Sequence, residues 1–151
     1  MSASPKPNEN LKQVVPFLWV TNMERSLRFY LDGLGFTIKH KWEPEGRIRW
    51  CWLTRGGASI MLQEYVKEGH GGQRPEGVLG QGMSICFQCE DAVVLYREFR
   101  SRGIDAAEPF VGNNMWVACI SDPDGYKFAF ESPTDVPEET TLSELEGSKK
   151  H

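Results

Sequence analysis

The chain has 151 residues, 40% hydrophobic and 25% charged, with a formal net charge of −4 at pH 7. That is one domain's length with room for a sizeable core, and the acidic balance argues against nucleic acid, whose binding rests on a basic stripe. No run reaches the roughly 18–20 apolar residues of a membrane span, and "MSASPKPNEN" lacks the apolar run of a signal peptide.

Residues 1–10 are read as a disordered tail, and residues 135–151 as a polar tail with a short helical turn around "SELE". Between them, residues 11–134 form a single domain. Its first half, about 13–69, opens with the apolar strand "QVVPFLWV" and Asn22 as a helix cap. Met23, Leu27, Tyr30, Leu31 and Leu34 then recur at helical spacing. The strands "FTIKHKW", "RIRWCWLT" and "ASIMLQEYV" follow, separated by the turns "EPEG" and "RGG". "GHGG" and "GVLGQG" read as a flexible connection.

The second half, about 82–133, repeats this order. "MSICFQC" is a strand, and Ala92, Leu95, Tyr96 and Phe99 make one helical face. "IDAAEPFV", "MWVACIS" and "YKFAFES" are three more strands, with "DPDG" as a turn in which proline and glycine take the special dihedrals. Gly57 and Gly125, Ile60 and Phe128, and Leu62 and Phe130 stand at one offset of 68, which marks an internal duplication.

With "VTNMERSLRFYLDGLGF", "MSICFQCED" and "GIDAAEPF…SDPDGYKFAFESP" in this order, the chain resembles the vicinal oxygen chelate superfamily over about residues 13–133. That superfamily includes glyoxalase I, extradiol dioxygenases and bleomycin-resistance proteins. The resemblance implies an α+β fold of two tandem βαβββ modules, packed edge to edge as a curved mixed sheet around a shared cavity. It also implies that two chains pair as a homodimer.

The enzymes of the superfamily hold a divalent metal with His or Gln from the first strands and Glu from the last. Carried onto this chain, those positions are Val15, Met61, Ser84 and Ala129. Neither hard cations nor zinc find a ligand set there, so no metal and no cofactor are expected. Cys86 and Cys89 spell C-x-x-C, but strand positions three apart face opposite sides, and buried core thiols are the better reading. Four cysteines suit free thiols in the cytoplasm better than a disulfide framework. Of the three histidines, His70 stands in the glycine-rich connection, where a lid role is the alternative to a surface one.

Side-chain parity from the four lost ligand positions identifies a pocket lining. Phe17 and Trp19 follow from Val15, Gln63 from Met61, Cys86 and Gln88 from Ser84, and Glu131 from Ala129. Trp50, Trp52 and Trp116 lie on adjacent strands whose facing the sequence leaves open. The expected ligand-binding set is therefore Phe17, Trp19, Trp50, Trp52, Met61, Gln63, Ser84, Trp116 and Glu131, an aromatic lining suited to flat or cationic molecules. No catalytic residue stands out. The leading reading is a metal-independent binder of a small molecule, such as an antibiotic, of the bleomycin-resistance type. The alternatives are a lyase, isomerase or dioxygenase with a shifted metal set drawn from His40, Glu64, Asp124 and Glu131, and an interaction domain with a vestigial cavity.

Overall fold

The computed structural model describes residues 7–66 and 74–149. The first module is β1 (Phe17–Val20), α1 (Met23–Leu27), β2 (Thr37–Trp42), β3 (Trp50–Arg55) and β4 (Ala58–Glu64). The second is β5 (Ile85–Gln88), α2 (Ala92–Ser101), β6 (Phe110–Gly112), β7 (Met115–Ser121) and β8 (Lys127–Pro133), and α3 (Leu142–Lys149) follows it. The tandem duplication is realised as two four-stranded mixed sheets of identical order, β1-β4-β3-β2 and β5-β8-β7-β6. Each first strand runs parallel to its module's last strand, with Phe17 opposite Met61 in one sheet and Cys86 opposite Ala129 in the other.

Local chemistry explains where the elements start. Asn22 and Asp91 hold extended backbone before their helices and accept the N–H of Arg25 and of Val94, each at 3.0 Å. After Leu27 the helix widens into a π-helical stretch, Arg28–Gly33, where the N–H of Leu34 reaches the Phe29 carbonyl. The expected strand from Gln13 begins only at Phe17 because Pro16 has no N–H to give; its carbonyl accepts from Met61 at 2.8 Å. Upstream of it, Leu11 and Val14 lie exposed. The strand expected over residues 104–111 shortens to β6, since Ile104 and Ala106 bond to each other in a tight turn.

Two segments, one read as a polar tail with a short helical turn around "SELE" and one as a flexible connection, carry apolar anchors and pack accordingly; the turn is part of α3. Leu142, in the stretch read as a polar tail, is buried with Ala92, Val111 and Trp116, and Leu145 packs against the same cluster. An Arg97–Glu146 ion pair lies over α2 and α3. In the connection read as flexible, Leu79 is buried against the core, and Gly80 lies so close to Tyr126 that a Cβ would meet its ring at 2.8 Å. His70 lies outside the described residues.

The inner faces of both sheets drain into one core cluster. Leu18, Val20, Ile60 and Leu62 of the first sheet share it with Phe128 and Phe130 of the second, and Tyr30 and Phe99 come from the helices. Among the described residues the sheets share no hydrogen-bonded edge, and side chains hold the modules in a reciprocal pattern. The β7–β8 turn reaches the start of the first module: Asp124 accepts from the N–H and hydroxyl of Thr21 and from Arg25, and Asp122 accepts from the Tyr30 hydroxyl at 2.7 Å. The β3–β4 turn reaches back: Arg55 donates to Glu98 on α2 and to the Leu34 carbonyl. Hydrogen bonding from Arg55 holds the Glu98 carboxyl below its usual range, so this contact stabilises above the ordinary carboxylate pKa and fades as pH falls through the lowered one.

Burial raises the Asp122 carboxyl, against the lowering effect of the Tyr30 hydroxyl bond. Tyr30→Phe removes that donor and leaves a buried carboxylate one partner short, a loss of about 1–3 kcal/mol at neutral pH. Because the carboxyl is then raised further, the loss shrinks as pH falls and Asp122 protonates. Urea titrations of both proteins at pH 7 and pH 4 measure this difference.

Candidate functional site

Alternation along each strand leaves one face of each sheet turned away from the core. On the first sheet, Leu18, Val20, Cys51, Leu53, Ile60, Leu62 and Glu64 point inward and are buried. Their alternates form the outer face. Directly opposed residues in a ladder share a face, so register settles the facing of the tryptophans. Phe17 opposes Met61 and Trp19 opposes Gln63 on one side of β4, while Trp52 opposes Met61 and Trp50 opposes Gln63 on the other. Phe17, Trp19, Trp50, Trp52, Met61 and Gln63 therefore lie side by side on one surface.

Some of the aromatic rings are in contact along it, in two groups. Phe17 and Trp19 have ring centroids 5.8 Å apart, and Trp19 and Tyr65 5.5 Å. On the far side the His40 ring meets Trp52 edge-on at 6.0 Å, and the Lys39 ammonium sits 5.1 Å from the Trp52 centroid. Trp42, opposite Trp50, extends the surface and is 57% exposed. Sequence reasoning missed Trp42 and Tyr65 and named His40 only as a candidate metal ligand. The signal for His40 and Trp42 was there in their even spacing on β2, but a bulge between Ile38 and His40 shifts the strand's facing, which alternation alone does not reveal. The Trp52 indole N–H is buried and has no acceptor among the described residues. A buried donor without a partner is costly.

The remaining expected site residues lie elsewhere. Ser84 and Glu131 belong to the second sheet's outer face, with Cys86 and Cys119 flanking Ala129. Glu131 accepts from Gln88 at 2.9 Å, and Ser84 lines a shallow cavity of about 400 Å³ with Cys119 and Lys127. Burial, with Cys86 and Glu131 nearby, pushes the Cys119 thiol up. Cys86 is exposed there, a correction to its reading as a core thiol: it is on the open side of an edge strand. Trp116 is a second correction. It opposes Ser132, on the inner face, and is buried under α2 and α3. Ala92 and Val111 share its cluster with Leu142 and Leu145, and these two leucines come from residues the sequence assigned to a tail.

The residues proposed as a shifted metal set do not meet. Glu64 is buried and accepts from the Met23 N–H, Arg47 and Arg49. Asp124 is committed to the module junction, and His40 rests on Trp52. No three His, Cys, Asp or Glu side chains converge among the described residues. At the superfamily's own metal positions, Met61 and Ala129 present a thioether and a methyl group, a donor set that does not fit a divalent metal.

A family model described as the Glyoxalase/Bleomycin resistance protein/Dioxygenase superfamily matches residues 10–130. Among solved structures, TioX from Micromonospora sp. ML1 is similar with a TM-score of 0.65 at 18% identity, covering 81% of this chain and 98% of its own. A bleomycin-binding protein complexed with bleomycin aligns at 0.62 and 24% identity, covering 81% and 98%. A bleomycin resistance determinant encoded on the transposon Tn5 aligns at 0.62 and 24%, covering 83% and 100%. No curated protein matches in sequence.

The two kinds of tryptophan separate by mutation. Trp116→Ala empties a buried site and lowers stability by about 3–5 kcal/mol, whereas Trp52→Phe keeps a ring, removes the orphaned donor and leaves stability within about 1 kcal/mol of wild type. Urea unfolding of the two variants checks both values.

Proposed function

Because the chain belongs to the Glyoxalase/Bleomycin resistance protein/Dioxygenase superfamily and carries neither its usual metal ligands nor a substitute cluster among the described residues, we propose that it is a metal-independent small-molecule binding protein. The observation that carries this reading is the outer face of the first sheet, which presents the Phe17, Trp19 and Tyr65 rings at one side and the His40–Trp52 pair at the other. Indole and phenyl faces bind flat rings by stacking. A planar aromatic antibiotic has this chemistry, and two structurally similar proteins are described as bleomycin-binding or bleomycin-resistance proteins.

The working unit in this proposal is a homodimer in the cytoplasm. One chain presents the aromatic face and the acidic Glu131 on separate sheets, both turned away from the shared core. A second copy brings the aromatic face of one chain against the Glu131 face of the other, which encloses a flat, cationic ligand between them. Unpaired β1 and β5 edges give the sheets a reason to pair. All four cysteines are free, which supports the reducing compartment.

Calorimetric titration with bleomycin and a panel of planar cationic antibiotics tests the reading. A ligand found this way is expected to lose about 1–3 kcal/mol of binding in Trp19→Ala and to bind unchanged after EDTA. Glu131→Gln is expected to weaken a cationic ligand, less so at high salt. Binding that disappears with EDTA and returns with Mn, Fe or Zn overturns the metal-independent reading. Sedimentation equilibrium at micromolar concentration is expected to give twice the 17.1 kDa chain mass; a species of chain mass alone refutes the dimer.

A further inference from the structure

The largest cavity described, about 780 Å³, lies between the modules and away from the aromatic face. The β3–β4 turn, Gly56 to Ala58, forms one side; the edge of β5 and the start of α2 form the other. Its lining is mixed: Phe87 and Leu95 are partly buried, Leu34, Phe36, Phe99 and Phe130 belong to the buried core behind them, and Arg55, Gln88 and Glu90 are polar.

The internal duplication shows what belongs there. The equivalent notch at the other junction lies between the β7–β8 turn and β1, and there it is full. Val78 and Leu79, from the segment leading into β5, pack against Gly125, and the Tyr126 side chain bonds to the Trp19 carbonyl at 2.7 Å. Leu79 is 5% exposed. At the open notch Gly57 stands for Gly125 and has nothing within 4 Å of a Cβ position, and Ala58 replaces the bulk of Tyr126. The segment leading into β1 is the counterpart of the one leading into β5. Cys86 and Phe17 hold the same ladder position in their sheets. Leu79 precedes Cys86 by seven residues and Leu11 precedes Phe17 by six. Yet Leu11 is 92% exposed.

We propose that the segment around Leu11 is a strap that closes over this cavity in its own chain, Leu11 taking the place at the β3–β4 turn that Leu79 takes at the β7–β8 turn. The five Cα–Cα steps from Pro16 back to Leu11 span up to about 17 Å. Charge agrees: Lys12 follows Leu11, and Glu90 at the cavity rim has no ion pair among the described residues. The strap runs directly into β1, so its closure seals the joint between modules beside the strand that carries Phe17 and Trp19.

Cys86 and Cys89 line the cavity and report on the strap. Leu11→Cys, mildly oxidised in the otherwise native chain and mapped by mass spectrometry, is expected to link position 11 to Cys86 or Cys89 at monomer mass. In a second measurement, iodoacetamide is expected to label these two thiols several-fold faster in Leu11→Asp than in wild type. An exposed position tolerates both substitutions in the open arrangement, so neither result depends on a misfolded variant. Labelling rates that do not differ, or a link to neither thiol, overturn the strap. A link between two chains overturns the assignment to one chain and makes a second copy the occupant.

Discussion

Two buried aspartates on one turn hold this molecule together. Asp122 is 5% exposed and receives the Tyr30 hydroxyl and the N–H groups of Asp124 and Tyr126; Asp124 receives Thr21 and Arg25. A carboxylate taken out of water is tolerated only when each lone pair finds a donor. Here four of the six donated hydrogen bonds come from the other module. The turn therefore cannot satisfy its own charges without docking the first module's helix, and the shared apolar cluster forms behind that contact. Arg55 and Glu98 repeat the arrangement in mirror fashion with the charges exchanged between turn and helix. Among the described residues no strand pairing joins the sheets, and relative placement of the modules rests on these side chains and the rings they enclose.

That docking decides where chemistry can happen. With both inner faces consumed by one core, each sheet has only its outer face to offer. The first sheet offers tryptophans and a phenylalanine; the second offers thiols, Glu131 and small side chains. Met61 and Ala129 hold equivalent places in the two ladders, opposite Phe17 and Cys86, and put a thioether and a methyl group on these outer faces.

The duplication is imperfect in an informative way. At one junction Leu79 and Tyr126 fill the gap beside the turn, and at the other Ala58 and an exposed Leu11 leave it open. Backbone order is the same in both copies, but side-chain volume and the disposition of the leading segment are not. Pseudosymmetry of this kind compares a site with its own relative in the same chain.

Periodicity and turn chemistry, which act between near neighbours, were enough to read the strand–helix–three-strand order twice, the Asn22 cap and the tight "DPDG" turn from the sequence. The outward facing of Phe17, Trp19, Met61 and Gln63 followed too, because alternation along a strand needs only one reference residue. Trp50 and Trp52 needed the ladder register, and His40 and Trp42 needed the bulge in β2, since pairing partners are distant in sequence. Trp116 went to the core because α3, a helix of low hydrophobicity built on two leucines, docks there; only the tertiary contact makes Leu142 and Leu145 anchors. Local sequence determined the modules and one face of each, because dihedral preference and alternation are short-range. Which aspartates are buried, which tryptophans meet and which cavity stays open were decided by packing between residues up to a hundred positions apart.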